Sequence, residues 1–185
     1  MIKRIDHVAL AVKDHNAAEE FFTKLFGAIP GPGAEDSSMK YIWRNYILGD
    51  LSRLEILSPT GEGSFLDGFL QNKKGGIHHV TMQCDDIYET KKFLEDSGIP
   101  YFDFNDYDNW KELFIHPRDA FGLLIQIAQF EAEHWISEKA VQKEKFLVRK
   151  KDSKTTISVN HPGGGIIEIN LTNEERLKLI EKLKR

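Results

Sequence analysis

Between Ile5 and Val12 the chain alternates. Val8, Leu10 and Val12 form one row, and His7, Ala9 and Ala11 form the other, the period-2 signature of a half-buried strand. The first row is bulky and suits packing under a helix. The second is small or polar with a histidine at its head, so it lines something other than a tight core. Ile77-His78-His79-Val80 repeats Ile5-Asp6-His7-Val8 at an offset of 72, with Val80, Met82 and Cys84 on one face and His79, Thr81 and Gln83 on the other. Each copy continues through an acidic turn (Lys13-Asp14; Asp85-Asp86) into an amphipathic segment, carrying Phe21, Phe22 and Phe26 in one copy and Phe93 and Leu94 in the other. Each then reaches a glycine and a proline, Gly27 to Pro30 and Gly98 to Pro100. Leu54-Glu55-Ile56-Leu57 matches Ile125-Gln126-Ile127-Ala128 at an offset of 71. Two ends in register at nearly one offset identify a duplicated β-α-β-β-β module.

The remaining strands of module one are expected over residues 39–48 and 51–57; those of module two over 101–104, 110–116 and 123–130. Residues 59–76 connect the modules, with a short helix over 64–70. The expected fold class is α+β, with paired modules over 1–60 and 75–130. Their two sheets face each other as a cup lined by the histidine-bearing faces. Residues 131–185 lie outside the repeat as a β-hairpin and helix extension of unknown role, suited to bracing the domain or to a subunit contact. Within it a helix is expected over 131–145 and strands over 146–150, 155–160 and 165–170. A turn at His161-Pro162-Gly163-Gly164 separates the last two strands. Thr172-Asn173-Glu174-Glu175 has the form of a capping box opening a helix with Leu177, Ile180 and Leu183 on one side.

Composition narrows the classes. The 185 residues are 41% hydrophobic, enough for a real core. The net charge of −4 gives no reason to expect nucleic acid or an anionic membrane as partner. No apolar run approaches the roughly 18 residues that span a bilayer. The start, MIKRIDHVALAV, is basic then apolar, but it is short and lacks a small-residue cleavage site, so no signal peptide is expected. A lone Cys84 rules out an internal disulfide and fits a reducing compartment. The expected location is cytoplasmic.

The repeat yields a site without any motif library. Equivalent positions of a duplicated module face each other across a pseudo-twofold axis, and His7 pairs with His79 as Glu55 pairs with Gln126. Two imidazoles, a carboxylate and a carboxamide oxygen suit one divalent ion of the Zn, Ni, Co, Mn or Fe type, with open positions for water or substrate. Any one of these residues alone reads as a hydrogen-bonded filler; two repeat-related pairs on the cup face read as a metal site. Gln126 is its weak member, and a three-ligand site remains open.

IDHVALAV, LEILSP, GIHHVTMQCDD and FIHPRDAFGLLIQIAQF resemble the vicinal oxygen chelate (glyoxalase, bleomycin resistance, dioxygenase) superfamily, nearest its methylmalonyl-CoA epimerase-like members. The resemblance covers about residues 2 to 130. It implies metal ligands at His7, Glu55, His79 and Gln126, and a homodimer is compatible with it. The last-strand ligand, usually glutamate in epimerases and also their proton-transfer base, is Gln126 here, and a glutamine accepts no proton at neutral pH. The other epimerase carboxylate falls near Ser37 or Ser38, with Glu35 and Asp36 close by.

Three functions follow. The first is a metal-dependent isomerase, epimerase or lyase acting through a metal-stabilised enolate, with Glu55 as the base. With Gln126 neutral, one carboxylate against a divalent ion leaves a net +1, which favours an anionic or enolisable small-molecule substrate. Arg118 is placed to hold a carboxylate or phosphate, and Trp43, Tyr46 and Trp110 to line the pocket. The second is a non-heme iron dioxygenase, for which two histidines and one carboxylate are the right donors. The third is a non-catalytic small-molecule binding protein.

Overall fold

In a computed structural model, residues 1–48, 52–135, 146–160 and 166–184 are described. Module one runs β1 (Ile2–Val12), α1 (His15–Phe26), β2 (Ile29–Asp36), β3 (Tyr41–Ile47) and β4 (Arg53–Pro59). A connector carrying α2 (Asp67–Leu70) leads to module two: β5 (Gly75–Cys84), α3 (Ile87–Asp96), β6 (Phe102–Asp106), β7 (Trp110–Ile115) and β8 (Ile125–Phe130). The acidic turns are helix N-caps. Asp14 accepts from the Ala17 N–H, and Asp86 from the N–H groups of Tyr88 and Glu89. Gly27 and Gly98 follow the two helices with φ of 66° and 67°, a left-handed conformation that a side chain disfavours. The duplication thus extends to its turns.

The two modules do not form separate facing sheets. They are hydrogen-bonded into one curled eight-stranded sheet of order β2-β3-β4-β1-β5-β8-β7-β6. Within each module the first strand pairs parallel with the fourth, and β1 joins β5 antiparallel across the seam. One strand escapes the sequence pattern: Ile29-Pro30-Gly31-Pro32-Gly33, rich in proline and glycine, begins the edge strand β2. Its pairing with β3 skips register between Pro30 and Gly33, the edge position and irregularity that proline tolerates.

Helix α1 covers Tyr46, Ile56 and Ala28, with Val12 and Phe22 against them. Helix α3 brings Ile87 and Leu94 onto Leu113, Ile115 and Ile127. On the opposite face Ala9 and Ala11 lie buried with Leu57 under Leu66 and Leu70 of the connector. The connector therefore covers the small face of β1 beyond His7.

Beyond β8 the chain makes a single 3₁₀ turn at Ala132–Trp135; residues 136–145, and with them most of the expected helix, lie outside the described residues. So do the turn at 161–164 and residue 165. Strands β9 (Phe146–Lys151), β10 (Lys154–Asn160) and β11 (Ile166–Leu171) form a second antiparallel sheet, followed by α4 (Asn173–Leu183). The capping box is formed: Thr172 Oγ1 accepts from the Glu175 N–H and the Glu175 carboxylate from the Thr172 N–H. Among the described residues no helix is long and apolar enough to cross a membrane.

Tyr46 is a correction to the sequence reading. It points under α1, not into the cup, and is fully buried with its hydroxyl donating to Glu19 at 2.5 Å. Tyr46→Phe should cost about 1 kcal/mol in chemical denaturation through that lost bond and leave metal and ligand binding at the wild-type level.

Candidate metal centre and cavity

Sheet register assembles the centre. Across β3, β4, β1 and β5, Asn45 lies opposite Glu55, Glu55 opposite Ala9, and Ala9 opposite His79. The repeat-related row crosses β7, β8, β5 and β1 as Phe114, Gln126, Thr81 and His7. The two rows meet at the seam. Ala9 and Thr81, the residues between the prospective ligands, are small and leave space there.

His7, Glu55 and His79 bring one ligand atom each to within 4.8 Å of one another. Glu55 Oε2 is 3.7 Å from His7 Nε2 and 3.6 Å from His79 Nε2. His79 Nε2 is buried and has no hydrogen-bond partner among the described residues, a costly state for a lone imidazole nitrogen and an apt one for a metal ligand. Burial, reinforced by the neighbouring imidazoles of His7 and His78, pushes the His79 imidazole well below its ordinary range, which favours the neutral form that binds metal. Burial pushes the Glu55 carboxyl up, with His7 opposing and Glu112 adding to the rise. The residues fit a divalent ion.

The supporting contacts set the ring orientations. A register shift in the β1–β5 pairing falls between Ile5 and His7, and Asp6 and His7 are both buried. Asp6 Oδ2 lies 2.8 Å from His7 Nδ1. A carboxylate only accepts, so Nδ1 is the donor and Nε2 is left facing the centre. Asp6 also takes both its oxygens to Arg53 Nη2 and one to Arg4 Nη2 at 2.6 Å. Burial opposes the Asp6 charge, but the His7 hydrogen bond and Arg53 outweigh it and hold the carboxyl at about 2. His79 Nδ1 shares a contact of 2.9 Å with His78 Nδ1, and the His78 ring is held against Phe65 and Phe69.

Gln126 is fixed at both ends. Its Oε1 accepts from Thr81 Oγ1 at 2.5 Å and its Nε2 donates to Glu112 Oε2 at 2.6 Å, so the oxygen is turned toward the seam and the amide nitrogen away. Thr81 Oγ1 is also 2.8 Å from His7 Nε2. Glu112, absent from the sequence candidates, shares a face of β7 with Trp110 and Phe114 by simple alternation. That period-2 pattern was its available signal. Asp6 and Thr81 were equally unselected.

Above the centre lies a cavity of about 570 Å³, lined by Trp43, Trp110, Glu55, His79, Gln126 and Glu112. Trp135, from the turn after β8, joins its wall. Asp36 lines it too, but its carboxylate caps a turn by accepting from Ser38 N, Ser38 Oγ and Met39 N. Arg118 is outside the cavity: its side chain is 73% exposed and pairs with neighbouring Asp119. The His116-Pro117-Arg118 loop ends in a 3₁₀ turn that directs it to solvent.

The curled paired-module sheet with a His/Glu/His group at its seam defines a class of protein. Residues 6–114 match the model of the Glyoxalase/Bleomycin resistance protein/Dioxygenase superfamily, and the chain belongs to that family. It is 33% identical over 134 residues to the ethylmalonyl-CoA/methylmalonyl-CoA epimerase of Cereibacter sphaeroides, covering 70% of this chain and 99% of that one. It is 31% identical to the mitochondrial methylmalonyl-CoA epimerase of Homo sapiens, over 68% of this chain and 73% of the other. Among solved structures, methylmalonyl-CoA epimerase of Mycobacterium tuberculosis shares the fold with a TM-score of 0.64 at 22% identity, over 70% of this chain and 89% of that one.

His79→Ala should abolish stoichiometric metal binding measured by elemental mass spectrometry, with the fold retained by circular dichroism. Asp6→Asn leaves the buried Arg53 guanidinium and the half-buried Arg4 guanidinium without their counter-charge and should destabilise the protein by about 3 kcal/mol or more in denaturant titration.

Proposed function

We propose that the protein is a metal-dependent isomerase of the epimerase type, acting on a small enolisable carbonyl compound such as an acyl-CoA thioester. The observation that carries this reading is the His7–Glu55–His79 group, its two histidines buried and His79 Nε2 without a hydrogen-bond partner among the described residues, taken with the kinship to epimerases. His7, Glu55 and His79 would hold the ion, with Gln126 as a fourth ligand through Oε1. A bound divalent ion supplies Lewis-acid stabilisation of an enolate oxygen.

The chain's own residues manage the proton. Gln126 accepts none, so Glu55 takes the proton from the carbon beside the carbonyl, the C–H electron pair passing into the enolate; inversion then requires a proton to reach the opposite face of that carbon from solvent, because return to the face it left regenerates the starting isomer. Burial makes a proton on Glu55 easier to hold than on an exposed glutamate. Glu55 cannot ligate fully and carry the proton at once, so the two roles alternate. Asp6 keeps His7 in the ligating tautomer throughout.

The test is deuterium incorporation into methylmalonyl-CoA and ethylmalonyl-CoA in heavy water, followed by NMR with each candidate metal loaded. Exchange at the α-carbon is expected, and Glu55→Gln should slow it by roughly a hundredfold or more. Tight binding without exchange under any metal would move the protein to the non-catalytic class. Oxygen uptake by the iron-loaded chain would make it a dioxygenase, for which the same two histidines and carboxylate are suitable donors.

A further inference from the structure

We propose that the cavity selects a ligand whose chelating oxygens reach the His7–Glu55–His79 group while a flat, uncharged, apolar substituent lies against Trp110 and Trp135. This rests on the metal-centre reading above and adds the chemical class of what the centre takes.

Charge gives the first argument. A divalent ion held by two imidazoles, one carboxylate and one neutral carboxamide keeps one positive charge. Glu112 stands one hydrogen bond from Gln126, at 2.6 Å. Its other donors are Trp110 Nε1 at 2.7 Å and Asn105 Nδ2 at 3.3 Å. All three are neutral, and among the described residues no ion pair includes it. The charge of Glu112 is therefore set against that of the centre, and the floor of the cup is neutral overall. Asp36 and Asp103 add negative charge to the cavity wall, while no lysine or arginine among the described residues lines it. Beyond the chelating oxygens, a second charge would face carboxylates with no cation to receive it.

Shape gives the second argument. Trp110 is pinned by its bond to Glu112 and stacks on Phe130 with ring centres 4.6 Å apart. The Trp135 ring stands edge-on to Trp110 at 5.0 Å and reaches Trp43 at 5.8 Å. The Trp135 carbonyl accepts from Arg53 Nη1 at 3.2 Å, and Arg53 is itself locked to Asp6. The aromatic wall is thus built before a ligand arrives, and fixed ring faces favour a flat apolar group over a flexible or charged one. Trp135 lies outside both modules and outside the matched residues 6–114, so selectivity comes from chain that the duplicated scaffold does not supply.

The test uses the full chain loaded with zinc and three probes sharing one pair of chelating carboxylates: methylmalonate, benzylmalonate and (2-carboxyethyl)malonate. Calorimetry should rank benzylmalonate at least about tenfold tighter than methylmalonate, from ring stacking and burial, with the carboxyethyl compound weakest. Trp135→Ala, and Trp135→Leu as a variant that keeps apolar packing without a ring, should cut the benzyl advantage to about threefold or less at unchanged zinc stoichiometry. Benzylmalonate no tighter than methylmalonate overturns the proposal. So does a carboxyethyl compound that binds tightest, an undiminished benzyl advantage in both Trp135 variants, or no binding of any probe to zinc-loaded protein. A chain that takes up no zinc overturns it together with the centre it rests on. A benzyl preference without α-proton exchange upholds it and overturns the isomerase activity alone.

Discussion

Where β1 and β5 run antiparallel, Ala9 faces His79 and His7 faces Thr81, and the ligand positions follow from those two pairs. Glu55 reaches the seam because β4 lies beside β1 in parallel register at Ala9. Gln126 reaches it because β8 lies beside β5 at Thr81. A one-residue slip would turn every one of these side chains to the helix-covered face. Specification of that register is therefore also specification of the site. Buried Ala9, Ala11 and Leu57 under the connector on one side, and Ile56 and Tyr46 under α1 on the other, leave the strands no alternative face to bury.

The bulge at Asp6 adds a second constraint. It places two consecutive residues of β1 in the interior, a carboxylate facing guanidinium groups and an imidazole facing the centre. Such a buried cluster is poor evidence for net stability, because desolvation of the charges offsets much of their attraction. Its use is geometric. Asp6 joins the His7 ring to Arg53, and Arg53 joins both to the backbone of Trp135. The first turn of the extension is thereby tied to the His7 imidazole through two residues, Arg53 and Asp6. The cavity wall and the ligand set cannot shift independently.

The duplication was readable because two matched ends, 71 and 72 residues apart, leave little freedom for the elements between them. The pairs His7–His79 and Glu55–Gln126 followed from it without reference to structure. What escaped was whatever the repeat does not duplicate. Glu112 occupies a β7 position whose counterpart in module one is Trp43, so symmetry gave no pointer to it. Trp135 has no counterpart at all. Tyr46 and Arg118 are a different case: residue type suggests a place in the cavity, but Tyr46 faces the helix side of β3 and Arg118 sits on an exposed turn. Alternation along β3 puts Tyr41, Trp43 and Asn45 on one face and Tyr46 on the other. Strand β2 was hidden by its prolines and glycines, whose turn preference yields at a sheet edge where few backbone donors are needed.

The placement of charge in the cup follows from the same break in symmetry. In a perfectly duplicated cup, the β4 and β8 positions would carry the same group and an ion would lie between two carboxylates. Here β4 carries the carboxylate, β8 the carboxamide, and the missing charge stands one strand further out at Glu112, bound to the carboxamide nitrogen. That arrangement does two things a second ligating carboxylate could not. It fixes which end of the Gln126 amide turns inward, since a carboxylate can receive only the nitrogen. It also moves negative charge from the candidate ligand set to the cavity wall. The first effect keeps an oxygen available to a metal; the second changes what the cavity accepts beside it. The substitution at position 126 and the carboxylate at 112 are thus one feature of the site, because each is given its role by the hydrogen bond between them.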